Sequence, residues 1–133
     1  MDKRLRWLRI GYWLGIVMDA IASIGMLIPS LFLRVVNVNL ALDCGLSWGL
    51  RFGAPLMVGW TVLLYWADRK PVERKDVLLI TTCPVVLGIT AFWLYTIAAG
   101  LASFGQMLPI LLQQAVLIVV FGYSYSQARA LTA

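Results

Sequence analysis

Four long runs of mostly apolar residues, at about 10–33, 46–67, 77–99 and 106–125, constrain what this chain can fold into. Each reaches the ~20 residues that a helix needs to cross the hydrocarbon core of a bilayer. Inside a bilayer every backbone N–H and C=O has to be satisfied within the chain, which restricts a span of this kind to a helix. The expected fold is all-α: an integral membrane four-helix bundle, antiparallel and up-down, forming a single transmembrane domain over residues 1–133. Composition agrees, at 62% hydrophobic and 13% charged, against ~45–50% and ~25% in soluble domains. The first run is read as a span rather than a cleaved leader, because it outlasts a signal peptide's apolar core and carries Asp19.

The links are short. Residues 34–45 hold Asn37, Asn39 and Asp43; residues 68–76 form a charged turn with Pro71; residues 100–105 are small and neutral. Short links make consecutive helices antiparallel neighbours. Asp76 is the expected N-cap of the third span. Lys3, Arg4, Arg6 and Arg9 precede the first run, Arg69, Lys70, Arg74 and Lys75 sit in the second link, and Arg129 lies near the end, so nine of the eleven basic residues fall on one side. The positive-inside rule then puts both termini in the cytoplasm and the protein in the cell (inner) membrane as a multi-pass chain. Tryptophans and tyrosines fall near both ends of the spans, Trp7, Tyr12, Tyr65, Trp66, Tyr123 and Tyr125 at the cytoplasmic side and Trp48, Trp93 and Tyr95 at the other.

The net charge of +5 is thus spent on topology. It does not suggest nucleic acid as a partner; the basic turn suits contact with anionic lipid. With no histidine there is no Ser–His–Asp triad, and the two cysteines, Cys44 and Cys83, form no Cys-x-x-Cys pair and stand too far apart along the spans to bond. No metal site, no catalytic residue and no cofactor is expected.

Asp19 is the exception inside the first run. A carboxylate at the centre of a spanning helix costs a few kcal/mol on insertion. It shares a helical face with Tyr12, Gly15, Ser23 and Met26, a small and mildly polar stripe. The functional reading is a proton carrier or a ligand counter-ion; the structural reading is a carboxyl hydrogen-bonded to a neighbouring helix. Arg51 sits higher, roughly 8 Å from its end of the second span against roughly 20 Å for Asp19, and either snorkels to headgroups or lines a pocket with Asp43. Gln113 and Gln114 match its depth, Tyr95 shares a face with Thr81 and Gly88, and Tyr123 lies deeper with Thr81 and Thr82. The expected ligand- or proton-binding set is Asp19, Arg51, Gln113, Tyr95 and Tyr123. Gly45, Gly49 and Gly53, and separately Gly11 and Gly15, form rows of small residues suited to close helix packing, within the chain or against a second copy.

The segment GAPLMVGWTVLLYWADRKPVERKD, from Gly53 to Asp76, with MDAIASIGMLIPSLF around Asp19, resembles small prokaryotic four-span membrane proteins, and the layout is similar to that of the DoxX-like four-helix proteins. The resemblance implies the bundle and no activity. The leading expectation is a tetraspan protein of the lipid bilayer with a polar intramembrane pocket for a small molecule or lipid, serving alone or as an accessory subunit. The alternative is a proton-coupled small-molecule transporter, a homodimer using Asp19. A membrane enzyme ranks third.

Overall fold

The computed structural model describes residues 3–37 and 41–130, and these are helical with no strand among them. Helix α1 spans Lys3–Leu27, α2 Pro29–Val36, α3 Cys44–Asp68, α4 Asp76–Ala98 and α5 Phe104–Arg129. Among the described residues α1, α4 and α5 are long and apolar enough to cross a membrane. Helix α3 has the length, at 25 residues, but Arg51, Pro55 and its glycines and tryptophans dilute the apolar run. The outward faces are hydrocarbon: Trp13, Val17, Leu56, Phe92 and Val119 are all exposed, with Val119 68% so. A surface built this way suits lipid and not water, and the chain is a helical membrane protein.

The first apolar run is broken where it was expected to continue to residue 33. Pro29 has no N–H to give the Gly25 carbonyl, and its ring pushes the preceding residue out of the helical region. Ile28 accordingly sits at φ −117°, ψ 82°, and α2 restarts with Pro29 in its first turn. The short helix folds back, so that a Cβ on Gly25 would lie 3.5 Å from the Phe32 ring. It stops at Asn37, which takes the left-handed conformation (φ 58°) and donates its N–H to the Arg34 carbonyl. Asn39, in the same link, lies outside the described residues.

Local chemistry sets the other starts. Asp43 caps α3 by accepting the Leu46 N–H at 2.7 Å. Ser103 and Gln106 form a reciprocal capping box at the head of α5, which commits the Gln106 side chain to the helix end. Asp76 does not cap α4. Lys75 holds the N-cap position and its side chain does not cap the helix, because the preceding turn is already helical in conformation there, and Asp76 sits in the first turn, where its charge suits the helix dipole.

Helix α1 lies between α3 and α5 and packs against both. The main core gathers Leu8, Tyr12 and Ile16 of α1, Leu64 and Ala67 of α3, Leu78 and Val86 of α4, and Leu117, Phe121 and Ala128 of α5. It occupies the half of the molecule nearer the 68–76 turn. A second, smaller cluster at the opposite end joins Val36 of α2 to Met107 of α5, with Phe32, Trp93 and Ile97 around them. The close approach in the main core depends on two glycines of α1. A Cβ on Gly11 would lie 2.8 Å from Ser124 Oγ, and one on Gly15 would lie 2.9 Å from Leu64 Cδ1 and 3.1 Å from Phe121 Cζ. At the same level Ser124 Oγ donates to the Trp7 carbonyl at 2.9 Å. The 68–76 turn is fastened to this core: Tyr12 donates its hydroxyl to the Arg74 carbonyl at 2.8 Å, and the Arg74 guanidinium donates to the Trp66 carbonyl and lies over the Trp66 ring.

Candidate functional site

Between the two clusters the helices do not close. Helix α3 packs on α4 around the first turn of α4, and Trp60 Nε1 donates to Thr81 Oγ1 at 3.2 Å just beyond it. Further along, a cavity of about 770 Å³ separates them, within the ~300–1,000 Å³ range of small-molecule pockets. Helix α1 contributes Asp19 and Ala22 to its wall, α3 Leu50 and Met57, α4 Thr81, Ile89 and Thr96, and α5 Gln113, Gln114 and Leu117, while α2 lies across one end. The lining is mostly hydrocarbon.

An irregular turn in α4 brings the two threonines to this wall. Pro84 removes one helical donor, and the helix widens over Thr81–Val86 into a π turn in which the Leu87 N–H reaches the Thr82 carbonyl, five residues back. The extra residue rotates everything beyond it by about 100°. Thr81 is therefore in phase with Thr96, buried at 3% and 5% exposure, and not with Tyr95, which is 66% exposed. Gly88, expected on the same face as Thr81, is exposed with open space around it.

The expected site residues divide accordingly. Asp19, Tyr95 and Gln113 all line the cavity, Asp19 in its wall and the exposed Tyr95 and Gln113 at its rim. Arg51 does not line it: it is exposed on the outer side of α3, and Asp43 is occupied in capping rather than pairing with it. Tyr123 is also outside the cavity, 45% exposed and packed edge-on against Trp7 with ring centroids 5.3 Å apart. Of the glycine row on α3, Gly53 meets the end of the Met26 side chain, while Gly45 and Gly49 meet no other helix among the described residues. Cys44 and Cys83 are free and exposed.

The structure adds Gln114, the neighbour of the residue chosen from sequence. It is buried at 7% exposure, lines the cavity, and its Oε1 has no hydrogen-bond partner among the described residues. Its signal was present in the sequence as a seven-residue row, Met107, Gln114, Phe121 and Ala128, all buried along α5. Asp19 Oδ2 is likewise buried without a partner. Two unpartnered acceptors at one cavity are notable, since buried polar groups are nearly always hydrogen-bonded. The threonine hydroxyls are not available to them: Thr81 donates to the Val77 carbonyl at 2.7 Å and Thr96 to the Phe92 carbonyl at 2.9 Å. The chain matches no family model, no curated protein and no solved structure.

Proposed function

We propose that this protein is a small multi-pass protein of the cell (inner) membrane that binds a small molecule or lipid in its intramembrane cavity, alone or as an accessory subunit. In this reading α1, α3, α4 and α5 form an antiparallel up-down four-helix bundle. The basic residues of the N-terminus, of the 68–76 turn and of the C-terminal end are held at the cytoplasmic face. The observation that carries the reading is the cavity of about 770 Å³ with Asp19 and Gln114 both lining it and both unpartnered. An orphaned buried acceptor costs about 1–3 kcal/mol, a cost that a ligand able to donate to it removes. Gly45 and Gly49, which meet no other helix, offer a face for a second copy.

The experiment is extraction in native lipid discs followed by mass spectrometry of the small molecules retained. The expected result is a defined compound that is lost from Ala22→Trp, which fills the cavity beside Asp19, while circular dichroism shows the variant still helical. A ligand retained in full by folded Ala22→Trp would place binding elsewhere.

A second reading, proton-coupled transport, is favoured by one observation: Asp19 is the sole ionisable carboxylate lining the cavity among the described residues. It predicts that proton-gradient-driven uptake of the retained compound into proteoliposomes disappears in Asp19→Asn, with binding measured in parallel. Uptake that continues unchanged in that variant removes Asp19 as the proton site.

A further inference from the structure

Resting on the reading of the cavity as a binding site, we infer that its ligand is an apolar molecule headed by a protonated amine that keeps at least one N–H, a primary or secondary ammonium. Three features of the wall lead there. First, its charge is one-sided. Asp19 lines the cavity and no lysine or arginine does among the described residues, Arg51 being turned outward. An anionic head would meet a carboxylate with no compensating cation.

Second, the polar atoms of its wall that are fully buried and left without partners among the described residues are acceptors. The hydroxyl protons of Thr81 and Thr96 go to main-chain carbonyls of their own helix, and Thr81 Oγ1 also accepts from Trp60. Asp19 Oδ2 and Gln114 Oε1 are left without donors. An ammonium with N–H groups supplies donors to both and a charge to one of them, and charge-assisted bonds of this kind are about twice as strong as neutral ones. A quaternary ammonium brings the charge and no donor; an alcohol brings one donor and no charge. Third, the rest of the wall is hydrocarbon, with Ile89 and Leu117 representative of it. It can hold an aliphatic or isoprenoid tail, and beyond Asp19 and Gln114 its polar side chains are few, with Tyr95 and Gln113 at the rim.

The test uses the full chain in discs of zwitterionic lipid, so that surface charge does not steer the probes, with four probes sharing one tail: decylamine, decanol, decanoate and decyltrimethylammonium. Affinities are read from the dependence of the melting temperature on each probe's membrane concentration, after its partition into empty discs is measured. The expected order has decylamine about tenfold tighter than decanol and than the trimethyl analogue, the gain of one charge-assisted over one neutral bond, and decanoate weakest. Asp19→Asn is expected to bring decylamine down to the level of decanol; Gln114→Leu is expected to narrow the same gap.

If decanol or decanoate equals or exceeds decylamine, the inference about ligand chemistry is overturned and the binding site stands. The inference is also overturned if the trimethyl analogue matches decylamine, or if the order survives in Asp19→Asn. If no probe binds wild type, and Ala22→Trp melts as wild type does in every case, the cavity is not a binding site and both readings fail together.

Discussion

Gly15→Leu is expected to lower the melting temperature of the protein in detergent more than any other substitution at a glycine of α1, and to cost about 3 kcal/mol, the upper end of overpacking penalties. The reason is the two-sided confinement of that position. A single Cβ there already falls 2.9 Å from Leu64 Cδ1 of α3 and 3.1 Å from Phe121 Cζ of α5, so a branched side chain can move neither way without parting α1 from one of its two neighbours. Both contacts belong to the main core, where Phe121 is 1% exposed. The control is Gly122→Leu, on the lipid-facing side of α5, where nothing lies within 4 Å. That variant is expected to melt at or above the wild-type temperature, since leucine is the better helix former. Equal melting of the two variants would mean that α1 does not pass between α3 and α5 at that level.

That confinement also shows which parts of the fold were legible in the sequence and which were not. Long apolar runs, charged turns and small-residue pairs are local signals, and helices at about the expected positions follow from them, including the close approach at Gly11 and Gly15. What local signals do not carry is phase. The break at Ile28 required Pro29 to be weighed against a run that is otherwise continuous. The π turn at Thr81–Val86 changed which residues of α4 look inward, and a seven-residue count through it paired Thr81 with Tyr95 when the helix pairs it with Thr96. On α5 one position, about 100° of rotation, separates exposed Gln113 from buried Gln114, and both line the cavity. Asp19 stood out because any carboxylate in such a run does, and no phase had to be known. Arg51 stood out for the same reason and faces outward, which shows that an intramembrane charge marks a question and that the helix face decides its answer.

The cavity itself has a physical origin in the same irregularities. The 68–76 turn and the main core hold the helices together at one end, through Tyr12, Arg74 and Trp66. At the other end α2, folded back at Pro29, joins α4 and α5 through Val36 and Met107. Between these two fastenings, beyond the Trp60–Thr81 bond, α3 and α4 do not close on each other, and the space remains. Such a gap in a membrane protein is filled by lipid, water or ligand, and the residues that meet the occupant include Asp19 and Gln114.

Asp19→Leu is expected to make the protein more stable, by about 1–3 kcal/mol, while removing its preference for an amine-headed ligand. A carboxyl retained for structure would be hydrogen-bonded, and replacing it would leave its partner stranded and lower the melting temperature. Asp19 Oδ2 has no such partner among the described residues, so none of them is stranded, and leucine is close in size and at home against the hydrocarbon wall. The change also relieves the unfavourable transfer of an aspartate to the centre of a spanning helix, about 2.5–3.5 kcal/mol on insertion scales. Asp19→Asn is expected to fall between the two, since the amide removes the charge and keeps the unsatisfied polar atoms. A site that lowers stability in the empty protein is the signature of function set against stability. Melting temperatures of wild type, Asp19→Asn and Asp19→Leu, each freed of ligand, should therefore rise in that order. A fall on going to leucine would instead identify Asp19 as a structural carboxyl and leave Gln114 alone at the cavity wall.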